Sequence, residues 1–306
     1  MKTSMKGIIY LLIFCLIGEK TFSQTPAPSQ YPSPMQEAIR KHERVKQDTI
    51  KGRTIVIDDW LSRPVMVYFP DGFRKNKTTD LLIHFHGSGG MVAYAAEKYK
   101  GNLVTVTINL GSGSGVYSRA FENAEDFKKL KDNIWELIEK EYGNNKKGNL
   151  ILSGFSAGYG AIRSILKTAE GFEKVNTVIL LDGLHASYIP ERKVIAEGGL
   201  IDTVSLEPFR IFAELALNPS SGKKFLFSHS EIFPGTFVST TECAGYLIKS
   251  LQLKAQPVLK WGPLGMQQIS EVKKGNFEIL GYAGNTAPDH VDHFHALYYF
   301  LNRVKK

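Results

Sequence analysis

"LILSGFSAGYGA", residues 150–161, is an apolar run that stops at Gly154-Phe155-Ser156-Ala157-Gly158, with further small residues close behind. A short, nearly continuous apolar run bounded by turn residues reads as a strand buried on both faces. Residues 157–170, "AGYGAIRSILKTAE", read as a helix. A serine fenced by Gly154 and Gly158 suits the tight turn between the two. Side chains two positions to either side would collide there, and the hydroxyl is pushed out beyond the strand end. The N–H of Ala157 then lies at a helix N-terminus, where developing negative charge is stabilised. So short a pattern also arises by chance, or simply to pack a helix close to a sheet. Its position between a strand and a helix is what gives it weight.

The same alternation extends to both sides of this turn. Residues 54–58 and 64–70 read as an opening hairpin, and 80–87 and 102–111 as strands dense in β-branched residues. Phe127, Leu130, Ile134, Leu137 and Ile138 recur at helical spacing within 123–143. Further strands are expected at 177–183, 223–230 and 276–284, and helices at 206–217, near 239–252 and at 290–304. This pattern predicts an α/β fold, with a mostly parallel central sheet and helices on both faces. Ligands of such sheets bind beyond the carboxyl ends of the strands, so every functional candidate should directly follow a strand. The less regular stretch 184–222 is expected to be a lid or pocket wall.

"HFHGSGG", His84–Gly90, follows the strand at 80–87. Together with the serine turn, it resembles the α/β-hydrolase family in its esterase and lipase branch, over roughly residues 50–306. There a histidine-glycine loop supplies the second oxyanion N–H. The resemblance puts His86, Gly87 and Ser88 in that loop and Ala157 beside them, with Ser88 standing where a third consecutive glycine would fall. It implies a Ser-His-acid triad with the histidine last in the chain. His290, at the junction after the last strand, and His293, one turn later, are both candidates for the base. Asp182, at the tip of 177–183, and Glu231, after the next strand, are both candidates for the acid. Asp182 has the more rigid position. Asp289 is expected to cap the last helix with Asp292. His84 and His295 read as structural, and His185 and His229 either line the pocket or bond to loop backbone, the latter being preferred. His290 and His293 also have metal-ligand spacing, but no third ligand stands near them, so no metal or other cofactor is expected. Residues 111–115, "GSGSG", lack the lysine of a phosphate-binding loop and read as a cleft wall.

The implied activity is hydrolysis of a carboxylic ester through an acyl-enzyme. A peptidase or acyltransferase using the same groups, or a binding protein that has kept only the fold, are the alternatives.

The 306 residues are 43% apolar and 22% charged, an ordinary globular balance. Lys2 and Lys6 precede an apolar stretch over residues 7–18, and Thr21-Phe22-Ser23 supplies small residues for cleavage. Residues 1–23 are therefore expected to be a signal peptide, which places the protein in the periplasm or outside the cell. Residues 24–45 begin rich in proline and serine and read as a tether and lead-in, and 46–306 as the folded domain. Cys243 would be the one cysteine left after cleavage, so no internal disulfide is expected. The net charge of +8 comes partly from the leader, with three lysines against one glutamate. The rest reads as a solvated basic surface, suited to acidic surfaces or cell-envelope material. No basic run is interleaved with aromatics, which argues against nucleic acid. The expected partner is a small-molecule or polysaccharide-linked ester.

Overall fold

The computed structural model describes residues 50–305. The expected signal peptide, the whole of the tether and residues 46–49 lie outside the described residues. Ten strands form one sheet. They are β1 (Arg53–Ile57), β2 (Val65–Phe69), β3 (Thr78–Phe85), β4 (Leu103–Ile108), β5 (Lys146–Phe155), β6 (Thr177–Leu181), β9 (Lys224–His229), β10 (Gln256–Trp261), β11 (Gln267–Lys274) and β12 (Phe277–Tyr282). Two short strands, β7 (Tyr188–Ile189) and β8 (Leu200–Ile201), pair apart from it. The spatial order is β1-β2-β4-β3-β5-β6-β9-β12-β11-β10. The six strands from β4 to β12 run parallel, and an antiparallel pair closes each side. The fold class is the expected one.

The central strands are apolar on both faces because each face is covered. In β5, Leu150 and Leu152 join one hydrophobic cluster while Ile151 and Phe155 join the other. In β6, Val178 and Leu180 alternate with Ile179 and Leu181 in the same way. This is the period-two alternation of a strand, with both faces written in apolar residues. One face is covered by α1 (Gly89–Glu97), α8 (Ala287–His295) and α9 (Leu297–Arg303). The other is covered by α2 (Ser114–Ala120), α3 (Ala124–Tyr142), α4 (Tyr159–Leu166), α6 (Glu207–Ala216) and α7 (Thr240–Ser250), with short α5 (Ala169–Lys174) packed against α3 and α4.

Helix α3 begins where Asn123 accepts the Glu125 N–H and ends at Gly143, whose φ is +76°. Its buried residues are Phe127, Leu130, Ile134 and Ile138. Three elements depart from the sequence reading. Residues 253–275 carried no strand expectation, yet they hold the whole of β10 and β11. The final helix is two helices, broken at Ala296 (φ −88°, ψ 9°). Its cap also falls earlier than expected. Thr286 accepts the Asp289 N–H, and Asp289 accepts in return from Thr286, so Asp289 is the third helical residue and not the cap.

Candidate active site

The parallel strands end at one edge of the sheet, and each gives way there to polar residues. After β3 come His86 and Gly87, after β5 Ser156, after β6 Asp182, after β9 Ser230, and beyond β12 the helix α8 with His290. This is the placement expected of ligand-binding groups.

Ser156 opens a 3-10 turn, Ser156–Gly158, that leads into α4. Its φ is +46°, a left-handed conformation that costs a non-glycine residue roughly 1–3 kcal/mol. The surroundings enforce it. A Cβ on Gly158 would lie 2.1 Å from the Phe85 carbonyl oxygen, and one on Gly154 would lie 3.0 Å from the Gly158 backbone. Gly183 brings the next loop equally near, since a Cβ there would lie 2.5 Å from Ser156 N. The small residues around the serine are therefore required by close backbone approach between β3, β5 and the loop after β6.

Asp182, with φ +41°, is completely enclosed and fully satisfied. Its Oδ1 accepts from the Ser230 N–H (2.9 Å) and the Thr240 hydroxyl (2.7 Å). Its Oδ2 accepts from the Ser230 hydroxyl (2.6 Å) and from His290 Nδ1–H (2.6 Å). Burial alone would raise the pKa of this carboxyl. The adjacent imidazoles of His293 and His290, with the bonds from His290 and Ser230, more than offset that and hold it well below the usual carboxylate range. An ionised Asp182 fixes the proton on Nδ1 of His290, which leaves Nε2 as the acceptor of the neutral ring. The His290 ring packs on Phe155, the residue before the serine, with centroids 4.6 Å apart.

His293 is placed differently. It is 1% exposed, its Nδ1 is bonded to Ser228 Oγ at 2.9 Å, and its ring stands edge-on to Tyr282. Burial pushes it down to about 4, despite the opposing pull of Asp182. Glu231 is turned outward. Its backbone N–H donates to the Gly284 carbonyl, and its carboxylate accepts the Gly284 N–H at 3.3 Å.

In the histidine-glycine loop, His86 has φ +73° and Gly87 +131°. A Cβ on Gly87 would enter the Phe294 ring at 2.6 Å. Ser88 caps α1. The His86 side chain is buried. Its Nδ1 lies 2.8 Å from the Tyr117 hydroxyl, which also accepts the Leu110 N–H and donates to Asn109 Oδ1. Burial first, then the facing His290, pushes His86 down to about 4. Its ring thus holds the loop in place, just beyond Phe85, whose carbonyl lies against the serine turn at Gly158.

A cavity of about 980 Å³ opens next to Ser156 and Ala157. Tyr159, Arg163 and Ser118 line it, and the 184–222 stretch adds His185, Ser187 and Asp202 to its wall. Gly113–Gly115 also borders it, so the glycine-serine segment is a cleft wall that begins α2. His185 and His229 bond to the backbone carbonyls of Val238 and Ser230, and His185 also lines the cavity. Among the described residues, no group of three or more His, Cys, Asp or Glu is arranged to hold a metal ion. No helix among them is long and apolar enough to cross a membrane.

Ser230 and Thr240 support the site, and the sequence carried no signal for them. Ser230 and Thr240 stand at a strand end and a helix start, positions whose importance depends on which acid lies opposite them.

No family model and no curated protein matches this chain. Several solved structures are similar in chain path. The feruloyl esterase module from Clostridium thermocellum, solved with sinapinate, is 14% identical, with a TM-score of 0.47 over 86% of this chain and 95% of its own. Acetyl xylan esterase from Aspergillus awamori is 13% identical, with a TM-score of 0.43 over 81% and 100%. The Pyrococcus horikoshii acylaminoacyl peptidase is 13% identical, with a TM-score of 0.42 over 84% and 41%. At these scores the likenesses carry no functional conclusion. The α/β layout, a mostly parallel sheet between two layers of helices, rests on this chain's own strand order.

Proposed function

We propose that the protein is a serine hydrolase that cleaves a carboxylic ester through an acyl-enzyme. The observation that carries this reading is the 2.6 Å bond between Asp182 and His290, made next to a serine on left-handed backbone at the end of the neighbouring strand. In this mechanism Ser156 Oγ attacks the ester carbonyl while Nε2 of His290 accepts its proton. Asp182 keeps Nδ1 protonated and stabilises the imidazolium. The oxyanion receives hydrogen bonds from the N–H of Ala157 and from the Gly87–Ser88 backbone. His290 then protonates the departing alcohol. Water, deprotonated by the same ring, releases the acid and restores Ser156.

The cavity beside Ser156 supports a substrate larger than an acetyl group alone. Lys2, Lys6 and the apolar stretch after them support export, and with the basic balance they favour an ester on polysaccharide or envelope material over a cytoplasmic metabolite.

A fluorophosphonate probe should label the protein on Ser156, and Ser156→Ala should abolish both the label and the hydrolysis of 4-nitrophenyl acetate. Labelling that survives in Ser156→Ala, or a wild-type chain inert to every short ester, would sink the reading. A chain that takes the label but cleaves peptides faster than matched esters would be a peptidase.

A further inference from the structure

The cavity beside Ser156 carries a cation on its wall that has no carboxylate partner among the described residues. Arg163, half-buried in α4, lies over the Tyr159 ring at 5.4 Å from its centroid. Its Nη2 donates to Ser118 Oγ at 3.3 Å, and Ser118 donates onward to the Gly160 carbonyl at 3.1 Å. Some other arginines among the described residues are paired with carboxylates, although Arg63, Arg74 and Arg119 are not. Arg210 sits between Glu207 and Glu214, and Arg303 bonds Glu278. The contacts of Arg163 orient a planar fork on the cavity wall and leave its charge unmatched among the described residues. Such a fork suits a carboxylate, which can accept two parallel bonds from it.

The other charges on the wall do not cancel it. Arg119 and Lys167 add two exposed cations, against Glu122 and Asp202. Asp202 is already engaged in capping the turn at Val204. Exposed charges are screened by solvent and salt, whereas a half-buried fork keeps more of its pull. Arg163 lies seven residues after Ser156, about 10 Å along a helix. A carboxylate bound there stands several bonds from the carbonyl under attack.

The geometry points to a substrate class for the site of the proposed hydrolase: an ester that carries a carboxylate several bonds from its scissile carbonyl, held by Arg163. The inference takes the carbonyl chemistry from the serine hydrolase reading, but the anion site is separable from it. The carboxylate can belong to the acyl part, as in a dicarboxylic half-ester, or to the alcohol part, as in an acylated sugar acid.

The test compares kcat/KM within two pairs on the full chain. One pair is 4-nitrophenyl hydrogen glutarate against 4-nitrophenyl valerate, and the other is the acetylated methyl glycoside of galacturonic acid, its carboxylate free, against the acetylated methyl glycoside of galactose. The anionic member of one pair should lead by at least tenfold, and that pair identifies which side carries the charge. In Arg163→Gln the ratio should collapse through KM, and in Arg163→Lys part of it should remain. No anionic preference in either pair, or a preference that survives Arg163→Gln in a normally melting protein, overturns the anion site while ester hydrolysis stands. If no ester is cleaved, the hydrolase reading falls and binding decides. Titration of the Ser156→Ala chain with glutarate and with galacturonate should then show saturable binding that Arg163→Gln removes, and absence of binding overturns the proposal.

Discussion

Asp182 concentrates four hydrogen bonds from three separate elements on one carboxylate, and its charge decides which nitrogen of His290 carries the proton. Asp182→Asn keeps the shape and can still accept from Ser230 and Thr240. It offers an amide in place of the second acceptor and removes the charge that stabilises an imidazolium. In the Ser-His-Asp template this change costs about 10⁴ in kcat through the wrong tautomer, and a loss of at least a thousandfold is expected here. Steady-state hydrolysis of a 4-nitrophenyl ester measures it, and a loss under tenfold would remove Asp182 from the mechanism. Asp182 was readable because an acid at the tip of five buried residues has little other reason to be there. The choice between His290 and His293 was not readable. Both lie in the first two turns of one helix, and only the packing against β6 and β9 shows one ring meeting Asp182 and the other meeting Ser228.

Glycine has opposite meanings in two helical settings of this fold. Gly158, in the turn leading into α4, has an ordinary φ of −60°, yet a Cβ there would meet the β3 backbone at Phe85. Backbone cannot yield as a side-chain tip can, so Gly158→Ala must push α4 off the sheet. Overpacking of this kind costs about 1–3 kcal/mol or more, and here it would also shift Ser156. Gly245, inside α7, has nothing within 4 Å of its missing Cβ. Gly245→Ala should stabilise by about 0.5–1 kcal/mol through helix propensity and a less flexible unfolded chain. Paired thermal melts test this, and it fails if the two substitutions shift Tm in the same direction. Elements whose apolar residues kept one period were legible, as α3 and β5 illustrate. Strand β10 was not, because nearly every residue in Gln256–Trp261 is exposed and no buried face writes an alternation into the sequence. The break at Ala296 was hidden by an apolar face that continues through Phe294, Leu297 and Leu301 on both sides of it.

The fold buries several imidazoles that resist protonation, and this lowers its stability in acid. His84 is bonded to Ser153 and to the His86 carbonyl, and burial pushes it down to about 3. His86 and His293 are pushed down to about 4, again chiefly by burial. In the unfolded chain all three titrate near pH 6.5. Above that pH neither state binds the protons, and these groups give stability no pH dependence. As pH falls below about 6.5 the unfolded chain takes up protons that the folded chain refuses, so stability declines until the folded rings begin to titrate near pH 4. Each ring contributes at most about 1.4 kcal/mol per pH unit in that window, and roughly 3 kcal/mol over it for a displacement like that of His293. Asp182 acts elsewhere. Its lowered pKa adds stability that is fully present above about pH 4 and is lost only as pH falls further. Tm should therefore be flat between pH 7 and 8 and fall steeply from pH 6 to 4.5. His84→Gln should lower Tm at pH 7.5, because a packed and bonded ring is lost, but its deficit relative to wild type should shrink as pH approaches 4.5. Melting curves for both proteins across this range decide the matter. A deficit that stays constant with pH would mean that His84 titrates alike in the folded and unfolded chain, contrary to its burial between the sheet and Phe294 of α8.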